Sequence, residues 1–154
     1  TAWGDGGYYA RVFLNVEGRE KEGIVAPGDV ARVRAELRTK LEALGDEKGH
    51  PIGTRALYPE EIYRECRGIA PDLVVYLGNL DWRSAGTVGN GTVHVFDNDT
   101  GPDDANHAQE GIFIWHGRGR GTVLDGPVSI YDVAPSILDY FNIPAPTEMI
   151  GKVL

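Results

Sequence analysis

The pattern of apolar and polar positions divides the chain into short strands and two amphipathic helices. Tyr8-Tyr9-Ala10-Arg11-Val12-Phe13-Leu14-Asn15-Val16 alternates in its second half, as a strand does. Pro27-Gly28-Asp29 then opens the clearest helix. Asp29 is a good N-cap, Val30, Val33, Leu37, Leu41 and Leu44 recur three or four residues apart, and Gly45 is placed to stop it. Arg32, Arg34, Glu36, Arg38, Lys40 and Glu42 cover the opposite side, which predicts a surface helix packed on a sheet. A second helix is predicted over Asp132 to Asn142, with Val133, Ile137, Tyr140 and Phe141 facing inward and Pro135 tolerated in the first turn. Pro144 and Pro146 end it.

Three apolar runs predict further strands. Pro71-Asp72-Leu73-Val74-Val75-Tyr76-Leu77-Gly78 is β-branched and bounded by turn residues, the pattern of a strand buried on both faces. Thr92 to Phe96 is shorter, and Ile112 to Trp115 reads as a buried strand between two loops. Asp46 to Arg55 is turn-like, with His50 exposed, and a short helix comes after Pro59 with Glu60 and Glu61 in its first, solvated turn. Gly4, Gly6 and Gly7 supply turn chemistry before the first strand; no helix start comes after them, which weakens a phosphate-loop reading. Strands alternating with helices predict an α/β fold, a mixed sheet with helices packed on it.

Length and charge narrow the possibilities. At 154 residues the chain is long enough for a single domain, 1–154, with a real core. With 23 acidic residues against 15 basic, it does not advertise the basic face of a nucleic-acid scaffold. One cysteine, Cys66, excludes an intrachain disulfide and reads as a small buried hydrophobe. No apolar run approaches the roughly 18 residues of a spanning helix and no signal peptide opens the chain, so it reads as soluble and cytoplasmic. A strand close behind a non-methionine Thr1 suggests the C-terminal fragment of a longer protein.

Candidate chemistry concentrates between Asp97 and Gly117. Asp97-Asn98-Asp99-Thr100-Gly101-Pro102-Asp103-Asp104 invites a calcium template, but the glycine falls one place early and the twelfth residue is Ala108 rather than glutamate. It reads instead as an acidic turn, or as hydrogen-bonding support for a metal nearby. His107 lies on a loop at the mouth of the predicted Ile112–Trp115 strand, where a rigid element can fix a side chain that still meets solvent or an ion. His116 belongs at that strand's far end, so the two histidines are not expected to share an ion. In the loop after the Leu73–Leu77 run, Arg83 could contact a substrate phosphate or pair with Asp81.

Asn106-His107, three residues, then Gly111-Ile112-Phe113-Ile114, continued by Ser129-Ile130-Tyr131-Asp132-Val133-Ala134-Pro135-Ser136-Ile137-Leu138 and Ile143-Pro144-Ala145-Pro146, resembles the C-terminal part of the alkaline phosphatase superfamily. The nearest look-alikes are its type I phosphodiesterase/nucleotide pyrophosphatase-like phosphohydrolases. Trp3 to Val16 with Gly18-Arg19-Glu20 and Gly23-Ile24-Val25 is similar to the segment after that family's Asp-His-Gly metal motif. Met149-Ile150-Gly151-Lys152-Val153-Leu154 looks like its closing segment, with Ile150 where the family usually has aspartate.

The resemblance implies a metal-dependent hydrolase of phosphate mono- or diesters, with the C-terminal portion of an alkaline phosphatase-like fold. It makes His107 a ligand of one divalent metal, usually zinc. The residues themselves add Asp104 and Asn106 as candidates for hydrogen-bonding support of that site and Arg83 as a candidate for substrate phosphate. The family's nucleophilic Thr or Ser and its other metal ligands match nothing here. The chain should therefore be inactive by itself, with its metal site unfilled, and its partner should be the upstream part of the same polypeptide. The competing expectations are a non-catalytic structural or interaction domain and a phosphoglycerate mutase-like phosphotransferase.

Overall fold

A computed structural model describes residues 1–87, 89–97, 105–116, 124 and 126–154. Two compact units emerge, Thr1–Ile112 and Phe113–Leu154. The first is built on strands β1 (Ala2–Asp5), β2 (Ala10–Leu14), β3 (Arg55–Leu57) and β4 (Leu73–Tyr76), with helices α1 (Val30–Glu42) and α2 (Pro59–Ile62). Spatial order is β1-β2-β4-β3, and every neighbouring pair is antiparallel. Both α and β elements are thus present, but the expected mixed sheet is antiparallel. Among the described residues, parallel pairing is confined to isolated bridges, Val16 with Val25 and Glu17 with Glu20. Since β2 and β3 both run against β4, they form a strand–helix–strand unit split by the strand between them.

The sheet buries the side facing α1. Val12 lies opposite Leu73 and Ala10 opposite Val75, while Ala56 sits across from Val75 on the other edge. Ala56, Leu73 and Val75 form one buried cluster against Leu37 and Leu41 of α1. Leu14, Val16 and Val25 form another, against Val30, Val33 and Leu37. The apolar stripe of α1 therefore packs where its spacing placed it, although no residue of the helix is fully buried. Removing Leu14, Leu73 and Val75 from water contributes roughly 1.5–3 kcal/mol each. The helix begins differently from its expected cap. Asp29 continues a tight turn from Pro27, and its carboxylate takes the Arg32 guanidinium at 3.0 Å instead of a backbone N–H.

One buried carboxylate fastens the sheet to the loop beyond β2. Asp72 accepts the Leu14 N–H at 2.6 Å and both terminal nitrogens of Arg19, at 2.7 and 3.2 Å. Arg19 also donates to the Leu14 carbonyl at 2.6 Å, and its pKa is raised above the ordinary range chiefly by the bond to Asp72. The Asp72 carbonyl accepts Arg34 Nε from α1 at 3.2 Å. Arg34 continues to Glu60 and Arg38 to Glu61, each at 2.8 Å, and both guanidinium groups lie over the Tyr58 ring. Glu60 and Glu61 therefore stitch α2 to α1 rather than facing only solvent. Their pKa values are lowered first by Arg34 and Arg38 respectively.

In the second unit Ser129 caps a tight turn, Ile130–Asp132, that leads into α3 (Val133–Tyr140). Ser129 Oγ accepts the Tyr131 N–H, and the Asp132 carboxylate accepts the N–H groups of Ser129 at 3.0 Å and Lys152 at 2.9 Å. Ser136 Oγ donates to the Asp132 carbonyl and accepts the Leu154 N–H at 3.0 Å, so the closing segment is held to the helix start. Gly151 lies so close to Tyr131 that a Cβ would sit 1.9 Å from its carbonyl oxygen. Pro135 and Ser136 are the buried residues of α3, whereas Ile137, Tyr140 and Phe141 are exposed. This corrects the expected inward face. A two-turn helix packs the side that meets the Lys152–Leu154 backbone.

Other expectations change as well. Ala2–Asp5, where only flexible turn chemistry was expected, is an edge strand, and Arg55–Leu57 adds another. Cys66 is exposed, not buried. Thr92–Phe96 and Ile112–Trp115 join no strand, and the second run is not buried. Ile112 and Ile114 are 92% and 84% exposed, Phe113 and Trp115 38% and 40%. The alternation of a strand survives, without ladder partners among the described residues. Among the described residues no helix is long and apolar enough to cross a membrane.

This packing predicts three effects on stability. Asp72→Ala strips a buried N–H and a guanidinium of their acceptor, and urea denaturation is expected to show a loss on the order of 3 kcal/mol. Thr54 Oγ1 is buried without a hydrogen-bond partner among the described residues. Thr54→Val is therefore expected to raise stability by about 1 kcal/mol in the same measurement. Asp132 has its pKa lowered, first by the Lys152 N–H and then by that of Ser129. Its contribution is present above the ordinary carboxylate value, about pH 4, and is lost as pH falls through the lower folded value. The stability difference between wild type and Asp132→Asn should accordingly narrow on acidification.

Candidate functional site

The antiparallel order brings three connections to one end of the sheet. β1 and β4 both run against β2, so the residues after Asp5 and after Tyr76 gather there, beside the start of β3. Beyond β4 the backbone turns sharply, with Gly78, Asn79 and Leu80 at φ of +55°, +55° and +77°. Leucine seldom takes this conformation. Here it is held by the buried Leu80 side chain and by bonds from Asp81 N–H to the Gly78 carbonyl and Trp82 N–H to the Leu77 carbonyl. Gly78 has no room for a Cβ, which would lie 2.6 Å from the Trp82 ring.

Two contacts lead from this turn to the histidine singled out by the sequence. The Leu80 carbonyl accepts the Asn106 side-chain N–H, and Asn106 Oδ1 accepts the His107 backbone N–H at 3.0 Å. Four residues after Leu80, Ser84 clamps the β1–β2 loop. Gly7 N–H donates to Ser84 Oγ at 2.9 Å, and Ser84 N–H donates to the Gly7 carbonyl at 3.1 Å. A Cβ at Gly6 would lie 2.6 Å from Ser84 Oγ, so a larger residue there would have to displace the hydroxyl of the clamp. The next loop residue, Tyr8, packs its ring against that of His107, with centroids 3.8 Å apart and planes at 55°.

His107 is exposed, and among the described residues no hydrogen bond engages its ring nitrogens. A neutral imidazole so placed can offer a lone pair to a cation. A zinc centre needs three or four protein ligands. Among the described residues no group of three or more His, Cys, Asp or Glu side chains is placed to hold a metal. The residues present therefore fit one ligand and not a complete centre.

The remaining candidates separate. Asn106 accepts the His107 N–H, while Asp104, with the rest of 98–104, falls outside the described residues, as does the glycine-rich stretch 117–121. Arg83 is half-buried on the loop that carries Ser84 and is already engaged. His50 binds Asp46 at 3.2 Å, and the Asp46 pKa is lowered first by the His50 backbone N–H. His94 meets the Gly45 carbonyl at 2.8 Å and the edge of Trp82. His116 is exposed.

Tyr8 was invisible as a site residue in the sequence, where it read as the start of a strand. The Ser84 hydroxyl beside Arg83 read as a group that could meet a substrate phosphate, and its clamp on Gly7 did not show. That clamp spans 77 residues, and no local periodicity encodes it. Comparison of the chain with protein-family models, with curated proteins and with solved structures finds no match.

Proposed function

We propose that the chain is part of a metal-dependent phosphohydrolase and supplies His107 as one ligand of a divalent metal, zinc by the resemblance. The observation that carries this reading is the placement of His107: its ring rests against Tyr8 at the loop end of the sheet, with nitrogens that no described residue engages. Bound there, a metal pair would stabilise charge on the attacking and leaving oxygens of a phosphate ester. The part of this chain is to hold the imidazole still. Asn106 ties the His107 backbone to the Leu80 carbonyl, and Arg83, on the Ser84 loop, is the guanidinium suited to a substrate phosphate.

The apolar runs support membership of a larger assembly of polypeptide. Ile112 and Ile114 keep strand alternation but stand in solvent, and Val93 and Phe96 are 80% and 75% exposed. A run of apolar side chains left in solvent marks a surface that further polypeptide can cover. The alternative reading, a non-catalytic interaction domain, draws on the lack of a three-ligand group among the described residues.

The two readings differ in a direct measurement. In the complete enzyme His107→Ala is expected to lower zinc content by metal analysis and to reduce hydrolysis of p-nitrophenyl phosphate or bis(p-nitrophenyl) phosphate more than about tenfold, with unchanged circular dichroism. The 154-residue chain by itself should hydrolyse neither ester. Full zinc content and full turnover in the variant would refute the ligand assignment and favour the interaction domain.

A further inference from the structure

Beyond the ligand assignment, and resting on it for its purpose, we infer that Tyr8 is a positioning residue for His107 and that the Ser84–Gly7 clamp positions Tyr8. An exposed histidine on a loop ordinarily samples several rotamers, and a metal ligand that does so loses affinity. His107 is restrained twice. Its backbone N–H is taken by Asn106, whose amide is tied to Leu80, and its ring is backed by Tyr8 at 3.8 Å.

Both restraints start from the same short segment after β4. Leu80 supplies the carbonyl for Asn106, and Ser84 supplies both groups of the Gly7 clamp. The left-handed run Gly78–Leu80 is what turns that segment back across the end of the sheet. Tyr8 lies between β1 and β2 in the loop that the clamp closes, next to the clamped Gly7. The phenol ring is thus a wall for the imidazole, and its hydroxyl is not needed for that role. Phenylalanine should serve equally, because the ring and not the hydroxyl makes the contact.

The consequence is readable without metal. In the 154-residue chain, the His107 ring protons should be displaced in NMR spectra by the Tyr8 ring current. Tyr8→Phe should keep the displacement, Tyr8→Leu should abolish it, and Ser84→Ala should reduce it while the stacked Trp3 and Phe13 rings keep their shifts. In the complete enzyme, Tyr8→Leu should weaken zinc binding roughly tenfold to a hundredfold, with Tyr8→Phe restoring it. Unchanged His107 ring shifts in Tyr8→Leu would overturn the positioning role. Loss of the displacement in Tyr8→Leu, combined with no zinc uptake by the unmutated enzyme, would instead leave Tyr8 holding the imidazole and refute the phosphohydrolase reading.

Discussion

The first unit depends on a carboxylate removed from water. An ionised Asp72 inside a sheet is tolerable only if its oxygens are filled, and Leu14 N–H and Arg19 fill them. Each bond fixes something in addition to charge. The Leu14 contact joins the end of β2 to the start of β4, and the Asp72 N–H closes on the Val12 carbonyl at 2.8 Å. Arg19 brings back the loop after β2, which places Val16 and Val25 in the core beside Leu14. A slip of one residue in this pairing would turn Leu73 and Val75 away from α1.

Arginines extend that anchoring across the helices. α1 buries none of its residues completely, so its apolar stripe provides only part of its attachment. Arg34 and Arg38 provide another part, since each lies over the Tyr58 ring and ends on a carboxylate of α2. Stem and ring bury apolar surface while the charged heads stay paired near solvent. The second unit uses the same device on a smaller scale, with Asp132 and Ser136 collecting the backbone N–H groups of the closing segment.

Anchoring at the Asp72 end has its effect at the opposite end. The four residues of β4 lie between Asp72 and the left-handed turn at Gly78–Leu80, a distance of about 13 Å in an extended strand. With the strand fixed in register, Leu80 and Ser84 meet Asn106 and Gly7, and through them the backbone and ring of His107 are held. Most of the groups that place the proposed ligand therefore come from other segments of the chain, with Asn106 the local link.

Elements whose burial is local could be read from the residues alone. The 3.6-residue spacing of Val30, Val33, Leu37 and Leu41 marked the buried side of α1, and the continuous apolar run Leu73–Tyr76 marked a strand covered on both sides. His107 was legible as a loop histidine from the polar residues around it. Short edge strands were not: Ala2–Asp5 and Arg55–Leu57 exist because β2 and β4 offer them hydrogen bonds, a property of the neighbour and not of their own residues. The start of α3 was read from its apolar positions alone, and the Ser129–Asp132 capping box that fixes it was not read. The sheet order, the Asp72–Arg19 pair and the Tyr8–His107 contact were settled only by the folded chain, since each joins residues whose separation along the sequence carries no signal. The same holds for Ile112–Trp115, which has no ladder among the described residues, because a strand pattern specifies a need for partners and cannot supply them.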